Sequence, residues 1–212
     1  MTDVRALRAS YEARGLTESD LAPDPFVQFG RWMSDASNAG LIQPDAMVLA
    51  TAAEDGAPSA RLVLLKSVAD GGMRFFTHQD SAKGRELERN PRAALVFPWH
   101  DLQRQVRVTG TVAKLSSEEC DSYFATRPRG AQIGAWASQQ SRVIPDRASL
   151  DAAAAEFAGR FEGQDVPRPP RWGGYHVTVE TMEFWQGRRD RLHDRLLYRR
   201  EAGVWVIERL AP

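Results

Sequence analysis

The chain has one cysteine, no net charge and no long apolar run, and each shortage closes off a class of protein. A lone thiol, Cys120, excludes an internal disulfide framework, and no Cys/His cluster carries zinc spacing, so no metal site is expected and a reducing compartment fits. Lys plus Arg (28) equals Asp plus Glu (28), which leaves no global field to draw in nucleic acid or an anionic membrane. Any anion site must be local. Met1 to Arg14 is charged throughout and lacks the apolar centre of a signal peptide, and no later run approaches membrane-spanning length. The expectation is a soluble, cytoplasmic protein without nucleic-acid or membrane partners. Neither G-x-G-x-x-G nor G-x-x-x-x-G-K occurs, and strict β-α alternation is absent, which argues against a Rossmann domain and a nucleoside triphosphatase.

What is present suits one domain of 212 residues. Val4 to Arg14 reads as a short polar helix with little to bury, mobile until something binds. Asp24 caps a helix beginning at Pro25, with Phe26, Phe29, Trp32 or Met33, and Ala36 as its apolar stripe. Met47 to Thr51 and Ser59 to Val68 read as a hairpin around Glu54-Asp55-Gly56-Ala57-Pro58. Arg61 and Lys66 face opposite sides at the two ends of an apolar run, Leu62-Val63-Leu64-Leu65. A further strand through Phe76 and Thr77 leads to a helix capped by Ser81 that carries Lys83 near its N-terminus, a place suited to phosphate and equally to a plain structural cap. Arg92 to Trp99 and Leu102 to Leu115 are strands, the second with Gln103, Gln105, Arg107 and Thr109 on one face. Ser116-Ser117-Glu118-Glu119 is a capping box, which sets a helix over Ser117 to Thr126 and brings Tyr123 and Arg127 to i, i+4 spacing. Gln140 and Ser141 fall in a loop, and an alanine-rich helix runs from Ser149 to Phe161. Read as a strand, Arg191 to Tyr198 places Arg191, His193 and Arg195 on one face, two cations and a titratable ring that suit an anionic ligand. Six or seven short antiparallel strands with helices outside suggest a mainly β, α+β fold: a small closed or split barrel.

Several stretches together carry a family resemblance: Arg61-Leu62-Val63-Leu64-Leu65-Lys66, Phe97-Pro98-Trp99, Gln132-Ile133-Gly134-Ala135-Trp136, Phe184-Trp185-Gln186-Gly187, Arg191-Leu192-His193-Asp194-Arg195 and the terminal Arg209-Leu210-Ala211-Pro212. From about Asp24 onward the chain resembles the pyridoxine/pyridoxamine 5'-phosphate oxidases. The resemblance implies an FMN-binding split β-barrel over residues 24–212, acting as a homodimer with sites at the subunit interface. It also implies that FMN oxidises pyridoxamine or pyridoxine 5'-phosphate to pyridoxal 5'-phosphate, with molecular oxygen reduced to hydrogen peroxide. Carried over by motif, FMN contacts fall on Arg61, Leu62, Val63, Leu64, Leu65, Lys66, Phe76, Thr77, Lys83, Gln105, Gln140, Ser141, Trp185 and Arg195. Substrate contacts fall on Lys66, Tyr123, Arg127, Arg191 and His193, with Arg191 and His193 as the catalytic pair. Arg8 and Tyr11 match a segment that closes over substrate, so residues 1–23 are expected to form an active-site lid. The chain departs from the family pattern at Gln43, Ala82 and Ala131, where an acidic residue, a basic residue and a serine are expected; the last two remove phosphate donors. The alternatives are another split-barrel flavin or deazaflavin reductase and a non-catalytic B6-phosphate carrier.

Overall fold

Alternation decides which side of each strand is inside. In β1 (Ala46–Ala52) Met47, Leu49 and Thr51 are buried, and in β5 (Arg92–Trp99) Ala93, Leu95, Phe97 and Trp99 are, the period of two that a sheet with one covered face requires. The structure, a computed structural model, describes residues 15–212, so the expected helix over Val4 to Arg14, with Arg8 and Tyr11, lies outside the described residues. Within them nine antiparallel strands form one curled sheet flanked by five α-helices. No helix among them is long and apolar enough to cross a membrane.

The remaining strands are β2 (Pro58–Leu64), β3 (Ser67–Ala69), β4 (Gly72–His78), β6 (Arg104–Lys114), β7 (Trp172–Gln186), β8 (Asp194–Glu201) and β9 (Val204–Arg209). Their order is β2-β1-β5-β6-β7-β4-β3, with β8 and β9 branching from β7. The two ends of that path, β2 and β3, are separated in sequence only by Leu65 and Lys66, so the chain itself draws the sheet into a barrel. This corrects the single strand expected over Ser59 to Val68: Leu65 N–H donates to Asp45 O (2.9 Å) beside β1, whereas Lys66 N–H donates to Arg74 O (2.8 Å) on β4. Strand β7 is where the barrel splits. Its first half pairs with β4 and its second half with β8, while β6 runs along its other edge throughout. The register shifts at Thr109/Gly110, and a Cβ at Gly110 would come within 2.0 Å of Thr178 O, so only glycine fits this bulge.

Helix α1 (Pro25–Asn38) starts as the sequence indicates, with the Asp24 carboxylate accepting from Phe26 N–H at 2.7 Å. It lays Phe29, Trp32 and Ala36 over the barrel, Phe29 against Phe97 and Trp32 against Phe184, with ring centres 4.9 and 5.0 Å apart. Burying each such ring stabilises the fold by about 1.5–3 kcal/mol. Residues 15–23, read from sequence as part of the N-terminal segment, pack on the same core: Leu16 and Ala22 are buried, and Tyr198 Oη donates to Ala22 O at 2.6 Å. Helices α2 (Ala82–Arg89), α3 (Ser117–Ala125), α4 (Arg129–Ala137) and α5 (Arg147–Arg160) complete the set, the last three around a second cluster of Phe124, Ile133, Phe161 and Trp172.

Candidate active site

Segments distant in sequence meet around a cavity of about 450 Å³. From the end of β2, the link after it and β4 come Leu62, Val63, Leu64, Lys66, Phe76 and Thr77, while Lys83, Tyr123, Arg127 and Gln140 approach from the helices and loops. Thr126, Pro128 and Trp172, none of them expected from sequence as a contact, complete the wall. Leu65 instead belongs to the core, and Ser141 is an exposed turn residue with φ of 70°. Among the described residues no cluster of His, Cys, Asp and Glu is arranged to hold a metal ion.

Helix α2, which brings Lys83 to the cavity, is capped by Ser81, its Oγ accepting from Gly84 N–H at 3.3 Å. Two residues on, Lys83 is only 8% exposed. Its ammonium donates to Gln140 Oε1 (2.7 Å), Thr77 Oγ1 (3.2 Å) and Ser81 Oγ (3.5 Å). All three acceptors are neutral, and among the described residues no carboxylate forms an ion pair with Lys83. Burial, then the charge of Arg61, pull its pKa down to about 8, with Glu86 acting the other way. Arg61 itself does not line the cavity. It pairs with Glu86 (3.1 Å) and donates to Thr51, to Ser59 Oγ (2.5 Å) and to Leu49 O (3.3 Å). Burial pushes the Glu86 carboxyl up, but hydrogen bonds from Thr51, Ser59 and Arg61 outweigh it and hold the group below the usual carboxylate range. Lys66, on the rim, pairs with Asp45 at 3.1 Å.

Helix α3 has the capping box read from sequence, Ser116 with Glu119, but ends at Ala125, so Arg127 lies beyond it. The expected i, i+4 helical pair is therefore replaced by a meeting across the cavity wall. Tyr123 stacks on Phe76 at 3.9 Å, Phe76 faces Trp172 at 5.4 Å, and the Arg127 guanidinium lies 4.7 Å from the Trp172 ring centre. Arg127 Nη1 is buried without a hydrogen-bond partner, and burial lowers the pKa of the group. The cavity thus holds a second cation with no carboxylate paired to it among the described residues.

The other expected residues form a separate group, none of which lines this cavity. Gln105, Trp185 and Arg195 are direct register partners on β6, β7 and β8, one rung across three strands. Arg195 is held by Glu183, Nε at 2.8 Å and Nη2 at 3.2 Å, a residue that sequence reasoning missed although it is a lone acid between Met182 and Phe184. The strand expected over Arg191 to Tyr198 begins only at Asp194. Asp190 and Arg191 have φ of 55° and 62°, which breaks strand alternation, so Arg191 and His193 belong to the loop before β8. His193 still meets the rung, its ring lying 4.6 Å from Trp185, whereas Arg191 is exposed. Arg188 N–H donates to His193 Nδ1 at 3.1 Å.

Two family models match successive parts of the chain. The one described as pyridoxamine 5'-phosphate oxidase matches residues 33–161, and the one described as pyridoxine 5'-phosphate oxidase C-terminal dimerisation region matches residues 172–212. The chain belongs to the pyridoxine/pyridoxamine 5'-phosphate oxidase family. A relative so named from Rubrobacter xylanophilus is 56% identical over 210 residues, covering 99% of this chain and 97% of that protein. Among solved structures, PhzG from Burkholderia lata, in complex with tetrahydrophenazine-1-carboxylic acid, is 35% identical with a TM-score of 0.89, covering 96% of this chain and all of that one. An FMN-binding protein related to pyridoxamine 5'-phosphate oxidase, from Nostoc punctiforme, is 16% identical with a TM-score of 0.72 over 91% of this chain and 100% of its own, a likeness of fold. The fold of this oxidase-family member is therefore the split β-barrel read from its sequence. The rung of Gln105, Trp185 and Arg195 straddles the two matched regions, with Trp185 and Arg195 in the dimerisation region and Gln105 in the first.

Proposed function

We propose that the chain is an FMN-dependent, cytoplasmic homodimeric oxidase that converts pyridoxamine and pyridoxine 5'-phosphates to pyridoxal 5'-phosphate, with oxygen reduced to hydrogen peroxide. The observation that carries this reading is a pair of cations on one cavity, Lys83, which is buried, and Arg127, whose Nη1 is, neither of them paired with a carboxylate among the described residues. A phosphorylated cofactor and a phosphorylated substrate require two such places.

The donor set fits FMN. Lys83 and the first N–H groups of α2, which have no carbonyl within the helix, form a phosphate seat even though Ala82 brings no side-chain donor. Arg61 adds charge behind Lys83 while paired with Glu86. Gln105, Trp185 and Arg195 are the residues for the flavin side, and they complete the cavity when a second copy supplies them. FMN, when bound, would supply the acceptor for the hydride leaving C4' of the substrate and the route of its electrons to oxygen. Tyr123, Arg127 and Lys66 hold the substrate phosphate, with Ala131 contributing no hydroxyl. Arg191 and His193 orient the pyridine ring. Donation of the Arg188 N–H to His193 Nδ1 leaves Nε2 as the ring nitrogen for the ligand, which supports an orienting role over that of a base.

The test is an oxygen-coupled assay of the FMN-loaded protein with pyridoxamine 5'-phosphate. Stoichiometric peroxide and pyridoxal 5'-phosphate are expected; a yellow protein that forms neither would favour the reductase, and a protein that binds substrate but no FMN would favour the carrier. A second reading, oxidation of a reduced tricyclic carboxylic acid, is favoured by the likeness to PhzG, and the same assay with such an acid compares the two directly.

A further inference from the structure

We infer that Glu183 is a positioning residue of the flavin side of the site, acting through Arg195; the inference rests on the reading of Arg195 given above. Glu183 is 6% exposed on β7, two residues before Trp185 and directly opposite Arg107 on β6. Its Oε1 accepts from Arg195 Nε at 2.8 Å, and its Oε2 accepts at 3.2 Å from both Arg195 Nη2 and Arg107 Nη1. Arg195 Nη1 donates to Ala211 O at 2.9 Å, and Leu210 N–H donates to Arg195 O at 2.9 Å, so the C-terminal residues close over the same arginine. Every nitrogen of this guanidinium is engaged.

Stability alone does not call for such an arrangement. Removing a carboxylate from water costs more than an ion pair usually returns, and a packed apolar residue of similar volume generally serves a buried site as well or better. What the arrangement supplies is direction. A side-on carboxylate across Nε and Nη2 together with a carbonyl on Nη1 fixes the guanidinium plane and leaves its remaining N–H groups a single aim. Arg107 has a different place: its side chain is 49% exposed, and it touches Glu183 but not Arg195. It neutralises the carboxylate without orienting the arginine.

Positioning and plain field strength predict opposite signs for Glu183→Gln. Deleting a negative charge beside Arg195 makes the region more cationic and should tighten an anionic cofactor, whereas releasing the guanidinium should weaken it. FMN is titrated into apoprotein and read by flavin fluorescence, beside a melting curve of each apoprotein. The expected result is an affinity about tenfold weaker for Glu183→Gln, partial recovery in Glu183→Asp, which keeps the charge, and a change under about threefold for Arg107→Gln. Should the Gln variant not fold, Glu183→Met, apolar and of similar length, provides the same comparison. Unchanged or tighter FMN binding by Glu183→Gln overturns the inference, as does an affinity loss that merely follows the melting temperature across all variants. Wild-type apoprotein that binds no FMN overturns the site reading itself; wild type that binds while the Gln variant binds equally overturns only the role of Glu183.

Discussion

The cavity and the β7–β8 rung are both rich in cations, yet their charges are managed in opposite ways. On the cavity side, among the described residues, Lys83 has only neutral acceptors and Arg127 has a buried Nη1 with none. On the rung side Arg195 and Arg107 share Glu183, and Arg209 pairs with Asp194 (2.7 Å) and Glu18 (2.9 Å). A cation buried without a carboxylate costs stability until an anion arrives, whereas one already paired can aim a hydrogen bond but adds little net charge. The first arrangement suits phosphates, the second an extended ring system with several polar edges.

The largest effect should come from separating the two regions onto different chains. Lys83→Met disables the cavity and Arg195→Leu disables the rung, so each variant alone should be nearly inactive. If a complete site needs both copies, unfolding and refolding an equal mixture should restore about a quarter of wild-type activity, since half of randomly paired dimers carry one intact site of two. No recovery would mean that both regions serve a site within one chain.

Arg127→Ala sharpens the contrast within the cavity. Loss of one charge-assisted contact should raise KM for pyridoxamine 5'-phosphate roughly 10- to 150-fold while FMN affinity stays at wild type. Steady-state kinetics with a parallel FMN titration check this, and a lowered melting temperature with unchanged KM would assign Arg127 to packing on Trp172 instead.

A third test uses pH. Lys83 is a lysine whose pKa falls on folding, so the folded state binds its proton less readily than the unfolded chain. Its penalty on apoprotein stability is full below pH 8 and fades as pH rises from about 8 towards the ordinary value of 10.5. Anion binding needs the protonated form, so FMN affinity should fall above pH 8 by up to about tenfold per unit, and the slope should vanish in Lys83→Met. An equal slope in both proteins would locate the titration elsewhere.

The smallest effect concerns His193. If it donates from Nε2, His193→Gln, which offers an N–H, should keep several-fold more kcat than His193→Ala. Equal loss in the two variants would restore a base role.

Local features were legible in the sequence, and features that depend on register were not. The Asp24 cap, the Ser81 cap and the Ser116/Glu119 box are decided within four residues, and all three stand where the sequence indicates. The break at Leu65-Lys66 was not legible, because it depends on Asp45 and Arg74 competing for successive N–H groups across the barrel. Arg61 carries a family motif, but nothing near it in sequence tells that Thr51, Ser59 and Glu86 converge on its guanidinium. Likewise the R-x-H-x-R pattern suggested a shared strand face, and two positive φ values undo the alternation for Arg191 and His193 while leaving Arg195 on β8. The rung that joins Gln105, Trp185 and Arg195 exists only through strand register.

The central claim, that Lys83 and the start of α2 form a seat for a cofactor phosphate, is tested most directly by comparing FMN with riboflavin, which has the same ring system without the phosphate. Titrating both into wild-type and Lys83→Met apoprotein gives the preference that the phosphate confers. Wild type should favour FMN by about 100-fold or more, and Lys83→Met should cut that preference by roughly 10- to 150-fold while riboflavin affinity stays unchanged. An equal preference for FMN in both proteins would contradict it.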